Sequence, residues 1–102
     1  MMYILIINFK ADITSDEYEE IAVKDAPTFS KIPGLKHKYF LFNHETKIFG
    51  GCYLWEDKAS LDAYKAGEIY KSIINNQDFE NVTTSEFEVH EQASLTQEKM
   101  KK

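Results

Sequence analysis

The stretch PGLKHKYFLFNHETKIFGGCYLWED, residues 33–57, predicts two apolar strands that fold back on each other. Residues 35–42 are mostly aromatic or large aliphatic residues, which favour strands, and a second apolar run follows at residues 47–56. The sequence NHET at residues 43–46 separates the two runs and favours a turn. The stretch therefore predicts an antiparallel hairpin, around which the rest of the chain is organised.

The register of this hairpin follows from the position of the turn. Antiparallel pairing centred on Glu45 predicts three facing pairs, all with side chains on one face of the sheet: Tyr39 with Gly51, His37 with Tyr53, and Leu35 with Trp55. Because side chains alternate between the two faces of a strand, a slip of one residue would move each of these side chains to the other face. The register is therefore a hypothesis.

The segment MYILIINF, residues 2–9, is apolar at both odd and even positions. Such a pattern is typical of a strand that is covered on both faces, so it predicts a central strand. The run is too short to cross a bilayer, has no basic residue before it and has no small-residue cleavage site after it.

A helix is predicted between this strand and the hairpin. Thr14 and Glu17 have the spacing of a capping box, which begins a helix. The apolar positions of the helix lie close to one stripe: Tyr18, Ile21, Ala22, Phe29 and Ile32. Pro27 interrupts the pattern, so the sequence predicts either a kink near Ala26 or a second short helix capped by Asp25.

Two short helices and a last strand are predicted after the hairpin. Asp57 is a good N-cap for the first helix, and Gly67 is a suitable residue to follow its end. Residues 68–74 predict the second helix. Residues 82–90 alternate in polarity and predict a strand with one wetter face.

The predicted order β-α-β-β-α-β is that of the ferredoxin-like α+β folds, with a four-stranded antiparallel sheet and helices on one face only. The other face keeps large apolar side chains, which a monomer would expose to water. We therefore predict a homodimer in which two sheets pack face to face as a dimeric α/β barrel. Residues 1–90 are assigned to this single domain, and residues 91–102 to a polar C-terminal tail that is either a frayed helix or disordered.

Composition narrows the classes of partner. The 102 residues are 43% hydrophobic and 14% aromatic, which suffices for the core of one domain. The formal charge of −5 disfavours binding to nucleic acid or to an anionic membrane. Cys52 is the only cysteine, so no internal disulfide is possible, and its apolar strand predicts a buried, unreactive thiol. We predict a cytoplasmic protein.

Short sequences spread along the chain resemble a known family. They are Ala26-Pro27, Pro33-Gly34-Leu35, Lys38-Tyr39, Glu45-Thr46, Gly50-Gly51, Tyr53-Leu54-Trp55-Glu56 and the helix from Ser60 to Tyr64. In this order they resemble the YdhR-like monooxygenase family of the dimeric α/β-barrel superfamily, over about Tyr3 to Val89. The resemblance implies a homodimeric ferredoxin-like barrel. The name monooxygenase reaches this family by analogy with relatives that oxidise aromatic polyketides without a cofactor.

A cofactor-free oxygenase requires an acidic phenol or similar substrate, a dry pocket and a few polar groups that orient the substrate. The candidate catalytic residues are Asn8, His37 and Trp55. The candidate substrate-binding residues are Tyr39, Tyr53 and Tyr64. We predict that an aromatic or otherwise apolar small molecule binds among them, between the sheet and the helices.

Each candidate also has a structural interpretation. Asn8 either bonds a ligand or satisfies the turn at residues 10–12. His37 has a reference pKa suited to a general base, but between two lysines it is equally typical of a half-exposed strand residue. The aromatic candidates are typical of a core, although their polar tips need partners if they are buried.

No metal or cofactor site is predicted. The three histidines, His37, His44 and His90, show no ligand spacing on one element. A haem-degrading branch of the superfamily has an asparagine and an aromatic residue that look like Asn8 and Tyr64, but the position of its axial histidine matches Ile74, which offers no ligand to iron. The rival to the enzyme is a non-catalytic ligand-binding or structural homodimer of the same fold.

Overall fold

The computed structural model describes residues 1–96, and the order of its elements confirms the predicted α+β class. The elements are β1 (Tyr3–Lys10), α1 (Ser15–Phe29), β2 (Leu35–Asn43), β3 (Ile48–Trp55), α2 (Lys58–Lys65), α3 (Glu68–Ile74), β4 (Glu80–Glu88) and α4 (Glu91–Thr96). The four strands form one antiparallel sheet in the order β2-β3-β1-β4. The apolar strand β1 is therefore central, as predicted.

The register of the hairpin differs from the predicted one. Leu35 faces Trp55 as expected, but His37 faces Leu54 and Tyr39 faces Cys52. The register shifts between Leu35 and His37, where Lys36 is an extra residue on β2. Such a β-bulge turns the following side chains to the opposite face. His37 and Tyr39 therefore do not share a face with Tyr53 and Gly51, and the predicted pairing of these residues was wrong.

Helix α1 begins with the predicted capping box. The Thr14 hydroxyl accepts a hydrogen bond from the Glu17 amide at 3.1 Å, and the Thr14 amide donates one to the Glu17 carboxylate at 2.9 Å. The predicted restart at Asp25 was wrong, because α1 continues through Pro27 to Phe29. Pro27 lies in the last turn, where the loss of one backbone donor is the main cost.

The two short helices follow the predicted boundaries closely. Asp57 caps α2 through a 2.8 Å hydrogen bond that its carboxylate accepts from the Ser60 amide. Gly67 follows Ala66, the C-cap of α2, and is also the N-cap of α3. Strand β4 begins and ends two residues earlier than predicted. No helix among residues 1–96 is long and apolar enough to cross a membrane.

The helices cover one face of the sheet and form the core there. The largest side chains that are fully buried at this face are Leu5, Ile7, Phe49, Tyr53, Trp55 and Leu61. We call the opposite face of the sheet the open face. Every strand carries apolar side chains there that belong to neither core cluster: Ile4, Ile6, Tyr39, Leu41, Leu54 and Phe87. Tyr39 is 60% exposed and Phe87 is 55% exposed.

Cys52 lies on the open face, directly opposite Tyr39 and Ile6. Its side chain is half-buried in a single chain, so the prediction of a buried thiol was wrong for the monomer. Partial burial raises the pKa of the thiol, which favours its neutral form.

The predicted tail is helical where the structure describes it, since α4 spans Glu91–Thr96. The Glu91 carboxylate accepts a hydrogen bond from the Met2 amide at 3.2 Å. The rest of the predicted tail, residues 97–102, lies outside the described residues. The assignment of residues 1–90 to a single domain stays a prediction.

Gly50 offers a test of how closely β1 and β3 approach each other. A Cβ at Gly50 would lie 1.9 Å from the Ile7 carbonyl oxygen, so Gly50→Ala must push two central strands apart. We expect a loss of about 1–3 kcal/mol or more in the free energy of unfolding, as for other overpacked sites. Gly67→Ala is the matched control, because its Cβ would lie 3.3 Å from the nearest atom, and a weaker N-cap costs less than about 1 kcal/mol. Equal losses in urea unfolding would contradict this account.

Candidate functional site

A cleft opens between the helix-covered face of the sheet and helices α1 and α3. Its deep part, the inner cavity, has a volume of ≈ 110 Å³, and its outer part, the outer cleft, has a volume of ≈ 650 Å³. The two parts are continuous, since both are lined by Phe9, Tyr18, Ile21, Asp25, Ile73 and Phe79. The cleft thus leads from the surface to the floor of the sheet.

Gly51 provides the space for the inner cavity. It lies in β3 between the buried residues Phe49 and Tyr53, and it lines the cavity with backbone only. A Cβ at Gly51 would lie 2.9 Å from the Tyr53 ring and 2.9 Å from Cε of Lys38. The absence of a side chain therefore lets the Lys38 stem enter beneath α1.

Aromatic rings form most of the walls. At the outer end, Phe9 and Phe79 stack with ring centroids 3.8 Å apart. At the inner end, the Phe29 ring meets the rings of Phe40 and Tyr53 edge to face, at 5.8 and 5.9 Å. Such walls favour a flat, apolar ligand.

Lys38 is the basic group of the inner cavity. Its Nζ lies 3.3 Å from the centroid of the Phe29 ring, 4.0 Å from that of Phe40 and 4.7 Å from that of Tyr53. Burial lowers the pKa of Lys38 to about 7, and the negative charge of Asp25 opposes this fall. An amine with this pKa exchanges protons near neutral pH, as a general base must.

No carboxylate of residues 1–96 forms an ion pair with Lys38. The ion pairs in this part of the chain join Lys58 to Asp62 and Lys65 to Glu86, and none of these four residues lines the cleft. Asp25 also lines the cavity, but it makes no contact within 4.0 Å of the Lys38 nitrogen. The faces of three aromatic rings lie against the amine instead.

Tyr18 closes the cavity on the side of α1. Its hydroxyl donates a 2.8 Å hydrogen bond to the Gly50 carbonyl oxygen and so ties the helix to β3. Burial raises the pKa of Tyr18 to about 12. The hydroxyl is therefore neutral at physiological pH, and its proton is already engaged.

Of the six residues predicted from the sequence, Tyr53 alone lines the cleft. Burial raises the pKa of its hydroxyl. Trp55 and Tyr64 pack together deeper in the core, with ring centroids 5.1 Å apart. Within residues 1–96, Nε1 of Trp55 and the hydroxyl of Tyr64 have no hydrogen-bond partner. These two residues form the floor behind Tyr53 and do not reach the cleft.

The other three predicted residues lie on the open face of the sheet. Asn8 is directly opposite Gly50 and does not line the cleft. The side-chain hydrogen bonds described for residues 1–96 include none between Asn8 and the turn at residues 10–12. His37 and Tyr39 form an edge-to-face pair at 4.3 Å, and both are exposed in a single chain. The catalytic and binding roles of the six residues stay predictions.

Sequence reasoning missed Lys38, Asp25 and Tyr18 as site residues. The available signal was the alternation of Lys38 with Phe40 and Phe42 along β2. A lysine in phase with aromatic residues that face the core is unusual, because lysine side chains are mostly found on exposed positions. The wrong register placed His37 on that face instead.

No histidine or cysteine lines the cleft. Among the residues that the structure describes, no group of three His, Cys, Asp or Glu side chains could hold a metal ion. Ile74, at the end of α3, is 37% exposed and offers only carbon. The cleft therefore offers no histidine or cysteine to a haem iron, and its two tyrosines, Tyr18 and Tyr53, are poor axial ligands because burial raises the pKa of both hydroxyls and keeps them protonated.

The family model described as "Putative mono-oxygenase ydhR" matches residues 4–99. The chain belongs to this family. A search of curated proteins found no match. The family match covers every strand of the sheet and both walls of the cleft.

Solved structures show the same ferredoxin-like fold at low identity. SnoaB, a cofactor-independent oxygenase from Streptomyces nogalater, is 13% identical with a TM-score of 0.66, and the match covers 86% of this chain and 92% of that one. MhuD, a heme-degrader from Mycobacterium tuberculosis, is 17% identical with a TM-score of 0.68, covering 86% and 95%. A dimeric ferredoxin-like protein from Jannaschia sp. CCS1 is 18% identical with a TM-score of 0.65, covering 87% and 100%.

The lowered pKa of Lys38 predicts a pH-dependent stability difference. Between pH 7 and the ordinary lysine pKa of 10.5, the unfolded chain binds a proton that folded Lys38 has released. The free energy of unfolding therefore rises with pH in this window, by up to about 1.4 kcal/mol per pH unit. We expect Lys38→Met to be more stable than the wild type at pH 7, and this advantage to shrink as the pH approaches 10.

Denaturant unfolding at pH 7, 8.5 and 10 measures this difference. Lys36→Met is the control, because Lys36 is exposed on the same strand, and its difference from the wild type should not change with pH. A Lys38→Met difference that is constant across the three pH values would contradict the lowered pKa.

Proposed function

We propose that this chain is a monooxygenase that binds an aromatic or apolar small molecule in the cleft and oxidises it without a cofactor. The observation that carries the proposal is the aromatic-walled cleft with one partly buried amine at its inner end. Membership of the ydhR family supports the reaction class. The similarity of fold to a cofactor-independent oxygenase is consistent with it.

The dimensions of the cleft suit one ring inside and the rest of a ligand outside. Engineered cavities of about 150 Å³ accept benzene, so the inner cavity of ≈ 110 Å³ is close to the size of a single ring. The outer cleft has the volume of a drug-sized pocket, about 300–1,000 Å³. The ligand would therefore enter ring first, between α1 and α3.

In the proposed reaction the substrate itself supplies the electrons. A deprotonated phenol or enol is electron-rich enough to reduce O2, after which one oxygen atom enters the product and the other leaves as water. The protein needs only to bind the substrate, to remove its proton and to exclude bulk water. The apolar walls and the amine of Lys38 are suited to these three tasks.

A non-catalytic ligand-binding protein is the second candidate. It is favoured by the placement of Asn8 and His37 on the open face and of Trp55 behind the cavity wall, since these were the residues to which chemistry was assigned. The two candidates share the cleft and differ in turnover alone. Oxygen consumption separates them.

A substitution that fills the cavity tests the site. Ala22 lines the inner cavity from α1, whereas its neighbour Val23 is 69% exposed on the outside of the helix. We expect Ala22→Phe to reduce binding and oxidation of hydroquinones and anthrone-like phenols by at least about 10-fold, a loss of about 1.4 kcal/mol, and Val23→Phe to change neither. Calorimetry and an oxygen electrode measure the two quantities.

Two results would contradict this proposal in different ways. If several compounds bind but none is oxidised faster than in buffer, the chain is a ligand-binding protein. If Ala22→Phe and Val23→Phe behave alike, the ligand does not use the cleft.

We also propose that the chain is a cytoplasmic homodimer. The apolar side chains of the open face include Ile6 at its centre, and burying them against a second copy would remove them from water. The Jannaschia neighbour is described as dimeric. A single cysteine, Cys52, permits no disulfide within the chain, which is consistent with a reducing compartment.

Light scattering tests the dimer. We expect a mass of about twice the 11.9 kDa of one chain for the wild type and for Val23→Glu, and a monomer for Phe87→Glu. Phe87 and Val23 are both exposed in a single chain, so only an interface on the open face distinguishes them. A dimeric Phe87→Glu, or a monomeric wild type, would contradict the proposed interface.

A further inference from the structure

A second groove lies beside the inner cavity, at the edge of the sheet. We call it the β2 groove, because it runs between the edge strand β2 and the end of helix α1. Its volume is ≈ 290 Å³. No carboxylate lines it, and its lining includes three large apolar side chains and three basic ones: Phe29, Leu35, Phe40, Lys36, His37 and Lys38.

The β2 groove and the inner cavity share a wall, since Phe29, Lys38 and Phe40 line both spaces. The two rings of this wall pack edge to face and belong to the core. Lys38 differs from them, because its stem is flexible and no ion pair within residues 1–96 holds its amine. Lys38 is therefore the movable part of the wall, and an outward turn of its side chain opens the cavity onto the groove.

The two openings of the inner cavity carry opposite charges. The charged side chains that line the outer cleft are all carboxylates, those of Asp12, Asp25 and Asp78. The ionisable side chains that line the β2 groove are all basic. An acidic substituent of a ligand is therefore repelled at the outer cleft and attracted at the groove. Because Lys36 and His37 are exposed, a carboxylate beside them also keeps part of its hydration.

We infer that the β2 groove is an anion-binding subsite of the inner cavity, and that it takes the carboxylate of an aryl-substituted acid whose ring lies in the cavity. Lys38 turns out of the cavity, and its ammonium and that of Lys36 pair with the carboxylate. Such an acid enters ring first from the groove, whereas a neutral ligand uses the outer cleft. The inference rests on the proposed function in one respect, that the inner cavity holds a ring.

The outward turn of Lys38 exchanges one set of contacts for another. The amine leaves the ring faces of Phe29 and Phe40, whose centroids lie 3.3 and 4.0 Å from Nζ, and gains a charge-assisted hydrogen bond to the ligand. The ring of the ligand takes the vacated place. This also enlarges the cavity of ≈ 110 Å³ towards the volume of about 150 Å³ that accepts benzene. A neutral ligand offers no replacement for the lost contacts and leaves Lys38 in place.

Two ligands that differ in charge alone test the subsite. 3-Phenylpropionate and 3-phenylpropan-1-ol have the same ring and the same chain length. We expect the wild type to bind the acid about 10-fold more tightly than the alcohol, in line with a hydrogen bond between charged groups. Calorimetry at low ionic strength measures both affinities, because salt screens exposed charges.

Three lysine variants locate the charge that the acid recognises. Lys38→Met should remove the preference for the acid, and Lys36→Met should reduce it by about 2- to 5-fold, as expected for an exposed ion pair. Lys24→Met is the matched control, because it removes the same charge from an exposed position of α1 that lines neither the groove nor the cleft. This control should keep the preference of the wild type.

Proton NMR reports the position of the Lys38 side chain. The nearby ring faces should shift the ε-methylene protons of Lys38 upfield from the ordinary position that exposed Lys36 gives. Binding of 3-phenylpropionate should return the Lys38 signal to that ordinary position. Binding of 3-phenylpropan-1-ol should leave it shifted.

The outcomes separate the inference from the proposed function. If the acid and the alcohol bind equally well, or if the acid leaves the Lys38 signal unmoved, the inference is wrong and the cleft remains a candidate site. If Lys24→Met loses as much preference as Lys36→Met, the acid does not recognise the groove and the inference is again wrong. If neither compound binds the wild type, the proposed function and the inference both fail.

Discussion

The extra residue at Lys36 in the pairing of β2 with β3 determines which side chains of β2 face the helices. Beyond the bulge, Lys38 and Phe40 point to the core, and His37 and Tyr39 point to the open face. Without the bulge these assignments would be exchanged, because side chains alternate along a strand. The inner cavity would then lose both its amine and one aromatic wall. One residue of register thus decides which side chains of β2 line the cleft and which lie on the open face.

Most of the architecture could be predicted from local patterns. The capping box at Thr14, the cap at Asp57 and the apolar run of β1 each have a local physical cause, and each was confirmed. The effect of Pro27 on the helix was not predictable in the same way. A proline in the last helical turn and a proline in the middle of a helix have the same local sequence signal. The sheet order followed from the order of the elements.

The candidate site was less predictable, because it depends on register and on depth. His37 and Lys38 are adjacent, and only the bulge decides which of them faces the helices. Trp55 and Tyr64 lie on the helix-covered side of the sheet, as expected. The sequence does not indicate whether an aromatic residue on that side lines the cavity or packs behind its wall. Asn8 lies near the end of a strand that is apolar on both faces, so the sequence did not indicate to which face its side chain points.

Helix α1 contacts the sheet mainly near its two ends. At its start Tyr18 is hydrogen-bonded to Gly50, and at its end Phe29 packs on Phe40 and Tyr53. Between these contacts, Ala22 and its neighbours pass over the inner cavity without filling it. The height of the cavity is therefore set by the two end contacts, and its volume by the size of the side chains between them. Exchanging those middle side chains would therefore change the volume of the cavity and leave both end contacts of the helix in place.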